Sequence, residues 1–575
     1  MFIKQYFQWL RVCLNRLALY SSLLLAVGGL SHSQAHAQES FLDLVPAETP
    51  YFLDYKMVDQ AIQMMPKTLP DMKMDLTLID SASEKLMILF MQDFMKHYNQ
   101  KTLAQLGLKD IQDFHIGIYG LGIWPVLTLA VEKQGLFTRW FVKTSKKAGL
   151  KLSQEGRSLK LSLAPEASLI LSFVGKSWVT IALVPTELQK EMLPYLNGTK
   201  KPVNSIQDSG QITRWAKEIS SAKEILMAVN VERIIKTLLG RGEGLNKSFA
   251  MVGDLISKAV PKSCVDDYLE FSKAIPYILG GFKMSSKGFG GVSLFKFSPE
   301  LAKVTQGFLA ESSYELKADG HLINLSLALN LKAIVAGMQQ FMQAKIEKPF
   351  TCPNLLRSFN PQKLQMLLSQ VMMVPPFAYD LIGVSVVVKE INPSPQAQVV
   401  INAKNVSNLL NIAKSFNPQF AQVKLPAVGA PPALLEGLPI PPNFKVMVQV
   451  HKNALGLSLG AGQSEDLQKT LKGKANLNPS LFKLSYNLGR FFKMFSNMIE
   501  STKKFKRKSQ EAKYKMELEQ AKLNGTKAPT PPKFDDDLDP IDMLQKSMSG
   551  MVSFKFNFDS RGFVVNSIMQ PSAQP

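Results

Sequence analysis

The residues best suited to chemistry in this chain are few and scattered. Gly456-Leu457-Ser458-Leu459-Gly460 has the spacing of a hydrolase nucleophile elbow, where a serine at a sharp strand-to-helix turn presents its Oγ to a histidine. In that fold the histidine follows the serine along the chain. The last histidine here is His451, so Ser458 lacks such a base and a serine hydrolase is disfavoured. Gly175-Lys176-Ser177 ends like a phosphate-binding loop, but Ile170 stands where that loop needs a glycine. Gly117, Gly120 and Gly122 do not reproduce the dinucleotide-binding spacing. His97, His115, His321 and His451 are widely spaced and form no His-Glu-x-x-His pair. Asp535, Asp537 and Asp539 imitate the start of a calcium loop, yet Pro540 replaces its glycine and Lys546 its bidentate glutamate. Met57, Met64, Met65, Met72, Met74, Met87, Met91 and Met95 place eight thioethers within 39 residues, a soft ligand set for Cu(I). A periplasmic Cu(I)-binding protein is therefore an alternative reading, although 26 methionines along the chain also fit adaptable apolar packing. No catalytic residue, metal ligand or cofactor-binding residue is assigned.

The beginning of the chain carries the clearest signal. Lys4, Arg11 and Arg16 precede an apolar run from Leu17 to Leu30, and Ala35-His36-Ala37 follows, with no Asp or Glu in residues 1–37. This order predicts a secretory signal over 1–37, cleaved after Ala37, and export to the periplasm or surface of a Gram-negative bacterium. The apolar run is too short for the roughly 20 residues of a spanning helix. Cys264 and Cys352 then remain, and an oxidising compartment favours their pairing as a structural staple closing an 88-residue loop. Removing the basic leader takes the net charge from +21 to +18. Lys503, Lys504, Lys506, Arg507 and Lys508 concentrate the excess and are the candidate contact with an anionic membrane surface or an acidic cell-wall polymer. The acidic turn around Asp535–Asp539 is their competing partner. An exported protein rarely meets nucleic acid, which excludes that class.

With 575 residues, 46% hydrophobic and 20% charged, the chain has ample material for real cores. A helix is predicted from Asp80 and Ser81 through Leu86, Phe90, Phe94 and Tyr98. A pattern then occurs twice. A strand from Val126 to Val131 leads to a helix over 136–150, strands at 159–163, 169–174 and 178–184, a helix from Thr186, and a closing strand through Asn230 to Ile234. The second copy has strands at 384–388 and 398–402, a helix over 406–416, strands at 445–450 and 454–459, a helix from Ser464, and a close through Asn487 to Phe491. Leu329-Asn330-Leu331 is a partial third copy. In each, the asparagine is suited to cap a helix at a strand end. Between the last two strand groups, seven prolines in Phe416–Asn443 make an ordered covering arm or an exposed linker. The run 503–522 reads as helix, and Val552–Phe558 with Phe563–Ile568 as a final hairpin around Asp559-Ser560-Arg561-Gly562.

These patterns predict an α+β fold of mostly antiparallel sheets with helices packed on one face, internally duplicated. The expected units are the signal at 1–37, a first module at 38–240, a middle module at 241–375 holding both cysteines, and a second copy at 376–500. A basic arm and acidic turn at 501–550 and a C-terminal hairpin and tail at 551–575 complete the chain. Pro46-Ala47-Glu48-Thr49-Pro50, Tyr119-Gly120-Leu121-Gly122, the two cysteines, Pro375-Pro376-Phe377 and Tyr486-Asn487-Leu488-Gly489-Arg490 resemble a family of uncharacterised exported proteins of Gram-negative bacteria. That resemblance implies compartment and fold, and no activity. The expected role is a non-catalytic, structural or binding one, in which an apolar groove between sheet and helices takes lipid, another apolar ligand or an envelope protein.

Overall fold

The computed structural model describes residues 40–56, 82–100, 102–110, 114–220, 225–249, 260–285, 288–317, 320–391, 394–409, 413, 420, 422–437, 440–441, 444–523 and 550–571. The strands are β1 (Tyr51–Lys56), β2 (His115–Leu121), β3 (Trp124–Ala130), β4 (Leu152–Glu155), β5 (Ser158–Ala164), β6 (Ala167–Val174), β7 (Trp178–Pro185), β8 (Ile225–Asn230), β9 (Tyr277–Ser285) and β10 (Gly288–Lys296). They continue with β11 (Ile323–Ala328), β12 (Leu381–Glu390), β13 (Gln396–Ala403), β14 (Ala433–Leu434), β15 (Val446–His451), β16 (Ala454–Leu459), β17 (Phe482–Asn487), β18 (Gly550–Asp559) and β19 (Gly562–Pro571). The principal helices are α1 (Ala82–Asn99), α2 (Gln134–Lys147), α3 (Gln189–Leu196), α4 (Gln211–Glu218), α5 (Val231–Leu238) and α6 (Lys262–Ala274). After them come α7 (Pro299–Gln306), α8 (Leu331–Glu347), α9 (Pro353–Ser358), α10 (Pro361–Met372), α11 (Gln463–Lys472) and α12 (Leu488–Leu523).

All nineteen strands join one antiparallel sheet. Its spatial order is β4-β5-β6-β7-β3-β2-β1-β8-β9-β10-β19-β18-β17-β11-β12-β13-β16-β15-β14. The chain therefore builds outward from β1 on both sides, through β2, β3 and β7 to β4 in one direction and through β8 and β9 to β10 in the other, starts again at β11, and closes the centre by laying β19 against β10. The boundaries expected at 240 and 375 fall between strands that pair, β8 with β9 and β11 with β12, and the one after 550 falls within β18, which begins at Gly550.

Successive side chains point to opposite faces, so residues paired across neighbouring strands share a face. One face carries Phe52, Tyr119, Val126 and Ala182, packed with α3, α4 and the 3-10 turn at Phe41–Leu44. The other carries Tyr55, Phe114, Leu129 and Ile181 under α1 and α2. Helices thus pack on both faces, which corrects the expectation of one. The cause is local: β7 is apolar at both parities and buried along its whole length, so both of its faces require cover.

The asparagine caps are in place. Asn230 Oδ1 accepts the amide of Arg233 at 2.8 Å, Asn330 that of Ala333 at 3.2 Å and Asn487 that of Arg490 at 2.9 Å. Satisfying one free amide in this way is worth about 1 kcal/mol. The described part of the proline-rich stretch, residues 422–437, covers the sheet: Leu425 and Leu435 pack against the cluster that holds Val448 and Leu455, and β14 pairs with β15. The basic run lies within α12, and the C-terminal hairpin forms as β18 and β19.

Candidate functional site

The sequence-predicted residues fall into separate places. Cys264 on α6 and Cys352 at the start of α9 form a disulfide, with Cα atoms 4.1 Å apart. Asp267, buried one turn after Cys264, accepts the amides of Thr351 at 2.7 Å and Cys352 at 2.6 Å, and Lys345 on α8 pairs with Glu270 at 2.8 Å. The staple therefore ties a helix that precedes β9 to the helices that follow β11. Lys503, Lys504 and Lys506 belong to α12, while their side chains lie outside the described residues; Arg507 is half-buried and Lys508 exposed. The acidic turn at Asp535–Asp539 lies outside the described residues, as do the predicted cleavage site after Ala37, Met57 to Met74, and the side chains of Met87, Met91 and Met95.

Ser458 stands inside β16, bonded into the sheet on both sides, opposite Gln398 and Met447. It is buried at 3% exposure and lacks the bend that would present a nucleophile. His115 Nε2 does contact Asp54 Oδ1, an acid–base pair in principle. Phe41 and Trp178 close over that imidazole, at ring distances of 4.9 and 5.6 Å, so the pair is enclosed in the core. Among the described residues no group of three or more His, Cys, Asp or Glu side chains is arranged to hold a metal ion.

The feature that stands out is the sheet itself. In β11, β12 and β13 one face is enclosed and mixes polar with apolar residues: Asn324 is 5% exposed, Ser385 1% and Gln398 2%, beside the fully buried Val387 and Val400. They are enclosed because the segment before β11 lies across Asn324 and Ser385, and α11 covers Gln398, which donates to Gln463 at 3.0 and 3.1 Å. Ser385 Oγ accepts the Leu316 amide at 3.0 Å, Asn324 donates to the Leu316 carbonyl at 3.2 Å, and Asn402 bonds both backbone groups of Tyr314 at 2.7 and 3.1 Å. The opposite face of the same strands is apolar and only partly covered, with Ile323, Leu325, Leu327, Val384, Val386, Val388, Val399 and Ile401 all half-exposed.

This half-exposed apolar face continues across the sheet. It runs through Leu484 and Tyr486 of β17, Val565 of β19, Ile278 of β9, Met227 and Val229 of β8, Leu53 of β1, Ile118 of β2 and Leu127 of β3. Over twelve strands at ~4.8 Å spacing, it is about 53 Å long. With about three residues per strand on this face, its area is on the order of 1,000 Å², beyond the largest apolar patch of an ordinary monomer. At its centre, where β10 meets β19, aromatic rings accumulate. Phe563 lies 6.0 Å from Phe295, 6.1 Å from Phe556 and 5.2 Å from Phe558, and Phe482 lies 5.5 Å from Phe556. Removal from water pushes the Tyr486 phenol above its ordinary pKa. Both ends are closed, one by α1 and α2, the other by residues 406–409 and the proline-rich arm.

Chemically this surface offers desolvation and shape, with the Tyr486 phenol and the Ser293 and Ser567 hydroxyls among its few polar groups. It suits the binding of apolar chains. Sequence reading placed an apolar groove between sheet and helices but missed the surface's extent. The available signal was the strict alternation Ile-Asn-Leu-Ser-Leu-Ala in β11, which β12 and β13 keep only in part, through Val384-Ser385-Val386 and Gln398-Val399. No protein-family model, curated protein or solved structure matches the chain.

Proposed function

We propose that this chain is an exported, non-catalytic protein of the cell envelope whose open sheet face holds the acyl chains of lipid, and that its sheet is built from two copies of one α+β module. The carrying observation is the distribution in β11–β13, where Asn324, Ser385 and Gln398 are enclosed beside Val387 and Val400, while the opposite face, rich in valine, leucine and isoleucine, is left half-covered. Complete burial of such an apolar side chain contributes about 1.5–3 kcal/mol. A sheet that leaves many of them half-covered forgoes much of that, and an acyl chain laid along the face recovers it.

The duplication rests on pairing registers. Aligning Asn230 with Asn487 brings β1 onto β11, β2 onto β12, β3 onto β13, β7 onto β16, β8 onto β17, β9 onto β18 and β10 onto β19. The same alignment superposes two arginines with one task. Arg233 donates to the carbonyls of Ala47 and Thr49, both at 3.1 Å, ahead of β1; Arg490 donates to Gly320 at 2.6 Å, ahead of β11. The Asn230 amide donates to Pro50 at 2.8 Å and the Asn487 amide to Leu322 at 3.0 Å, in each case the residue before the strand. At the junction Val292 pairs with Asn566, two positions that this alignment makes equivalent, as a twofold axis between the halves requires. Export rests on the leader over residues 1–37.

Native mass spectrometry of protein purified from its own envelope without detergent tests the reading. Bound species with lipid masses, released by organic solvent, are expected. A ligand-free protein that also leaves a fluorescent fatty acid unbound would overturn it.

A further inference from the structure

A second apolar surface lies away from the sheet, on the helical arm that connects β11 to β12. We propose that this arm, α8 to α10, seats the protein on an anionic phospholipid bilayer. On α10, Leu364 is buried and marks the inward side. Two and nine positions further on, at about 200° and 180° around the helix, Met366 is 55% and Met373 70% exposed, and Leu367, at about 300°, is 44% exposed. Flexible methionine and leucine on the outer side of a short helix suit insertion into the irregular boundary between headgroups and acyl chains.

Charge selects the occupant. From Lys348 to Tyr379 the chain has no Asp or Glu, while Lys348, Arg357 and Lys363 are all exposed. None of the three forms an ion pair with a described residue. Lys363 lies at about 260° from Leu364, next to the exposed methionines, so cation and apolar contact face one way. A neutral apolar partner gives these three cations nothing, whereas anionic headgroups pair with each. The base of the arm is rigidly mounted: the Cys264–Cys352 bond and the two amides held by Asp267 fix it to α6. This inference stands apart from the lipid-holding reading of the sheet, since a bilayer is engaged here by an outer helix surface.

The test is co-sedimentation of the full mature protein with vesicles of phosphatidylglycerol and phosphatidylcholine, against pure phosphatidylcholine. Binding to the anionic vesicles that weakens as salt rises is expected. Met366→Ser, Leu367→Ser and Met373→Ser combined, all at exposed positions, should lower binding at least tenfold without changing the circular dichroism spectrum. Lys363→Gln should lower it about fivefold. A triple variant that sediments like the wild type would overturn the assignment, as would loss of binding only when Lys503, Lys504 and Lys506 become Gln. A protein that ignores vesicles but forms a dimer lost in the triple variant would also overturn it, showing a second copy as the occupant.

Discussion

The two halves of the sheet share a strand order and solve the covering problem differently. In the half built from β1–β10, the connection from β1 to β2 includes α1, which turns Leu86 and Phe94 inward against Phe114. The corresponding connection from β11 to β12, through α8, α9 and α10, buries Val335, Met342 and Leu364 and leaves methionines outside. On the enclosed face the contrast is in chemistry. Phe41 occupies the space over Gly117, where a Cβ would come within 2.2 Å of its ring, whereas Ser385 meets the segment at Leu316 through a hydrogen bond. One half is an aromatic core closed on both faces at its outer strands. The other is a hydrogen-bonded lamina with an open apolar side. The more enclosed half is expected to supply most of the stability, while the proposed acyl-chain surface crosses both.

The largest effect should come from breaking the link between the halves. Replacing Cys264 and Cys352 together by Ser releases an 88-residue loop and should lower stability by about 4 kcal/mol, measured by urea unfolding. The two halves should then separate into distinct transitions; a single transition displaced by under about 1 kcal/mol contradicts the staple's role. A paired substitution sharpens the contrast next. Phe41→Ala empties a fully enclosed site and should destabilise by about 3–5 kcal/mol. Val386→Ala on the open face should cost less than about 1 kcal/mol while weakening fatty-acid binding. Equal costs at the two positions would remove the contrast.

The smallest expected effect concerns acid. Burial pushes the Asp559 carboxyl up, but the hydrogen bonds and charge of Arg561 outweigh it and hold the group below its ordinary range. A lowered carboxylate pKa stabilises the fold above the unfolded value, near pH 4, and that contribution is lost as pH falls through the folded value. Arg561 also donates to the Glu218 carbonyl, so this turn of the β18–β19 hairpin is fastened to α4 in the first half. Arg561→Gln should therefore remove a small acid-dependent loss of stability below about pH 4, one that solvent screening keeps modest. Identical acid unfolding curves for the two proteins would show that this fastening contributes nothing.

Features governed by neighbours in sequence could be read before the structure. The β18–β19 hairpin follows from alternating Phe, Val and Ile around Asp559-Ser560-Arg561-Gly562, and the asparagine caps from their place between strand and helix. The open face could not be assigned, because alternation divides residues into two sets without saying which set is enclosed. Ordinary reasoning turns Ser385 and Asn402 toward water. Their partners, Leu316 and Tyr314, lie 69 and 88 residues away, and these bonds reverse the faces. The helices on both faces were foreshadowed by Trp178-Val179-Thr180-Ile181-Ala182-Leu183-Val184, which lacks a polar side at either parity apart from Thr180. Thr180 resolves that exception by donating to the Leu196 carbonyl at 2.6 Å.

Photo-crosslinking tests the central claim most directly. A fatty acid carrying a diazirine near its methyl end, irradiated with the mature protein and mapped by peptide mass spectrometry, should label half-exposed residues such as Leu325, Val386, Val399 and Phe556 on one face of the central strands. Labelling confined to the outer helix surfaces, or spread evenly over the molecule, would contradict the assignment of that face to acyl chains.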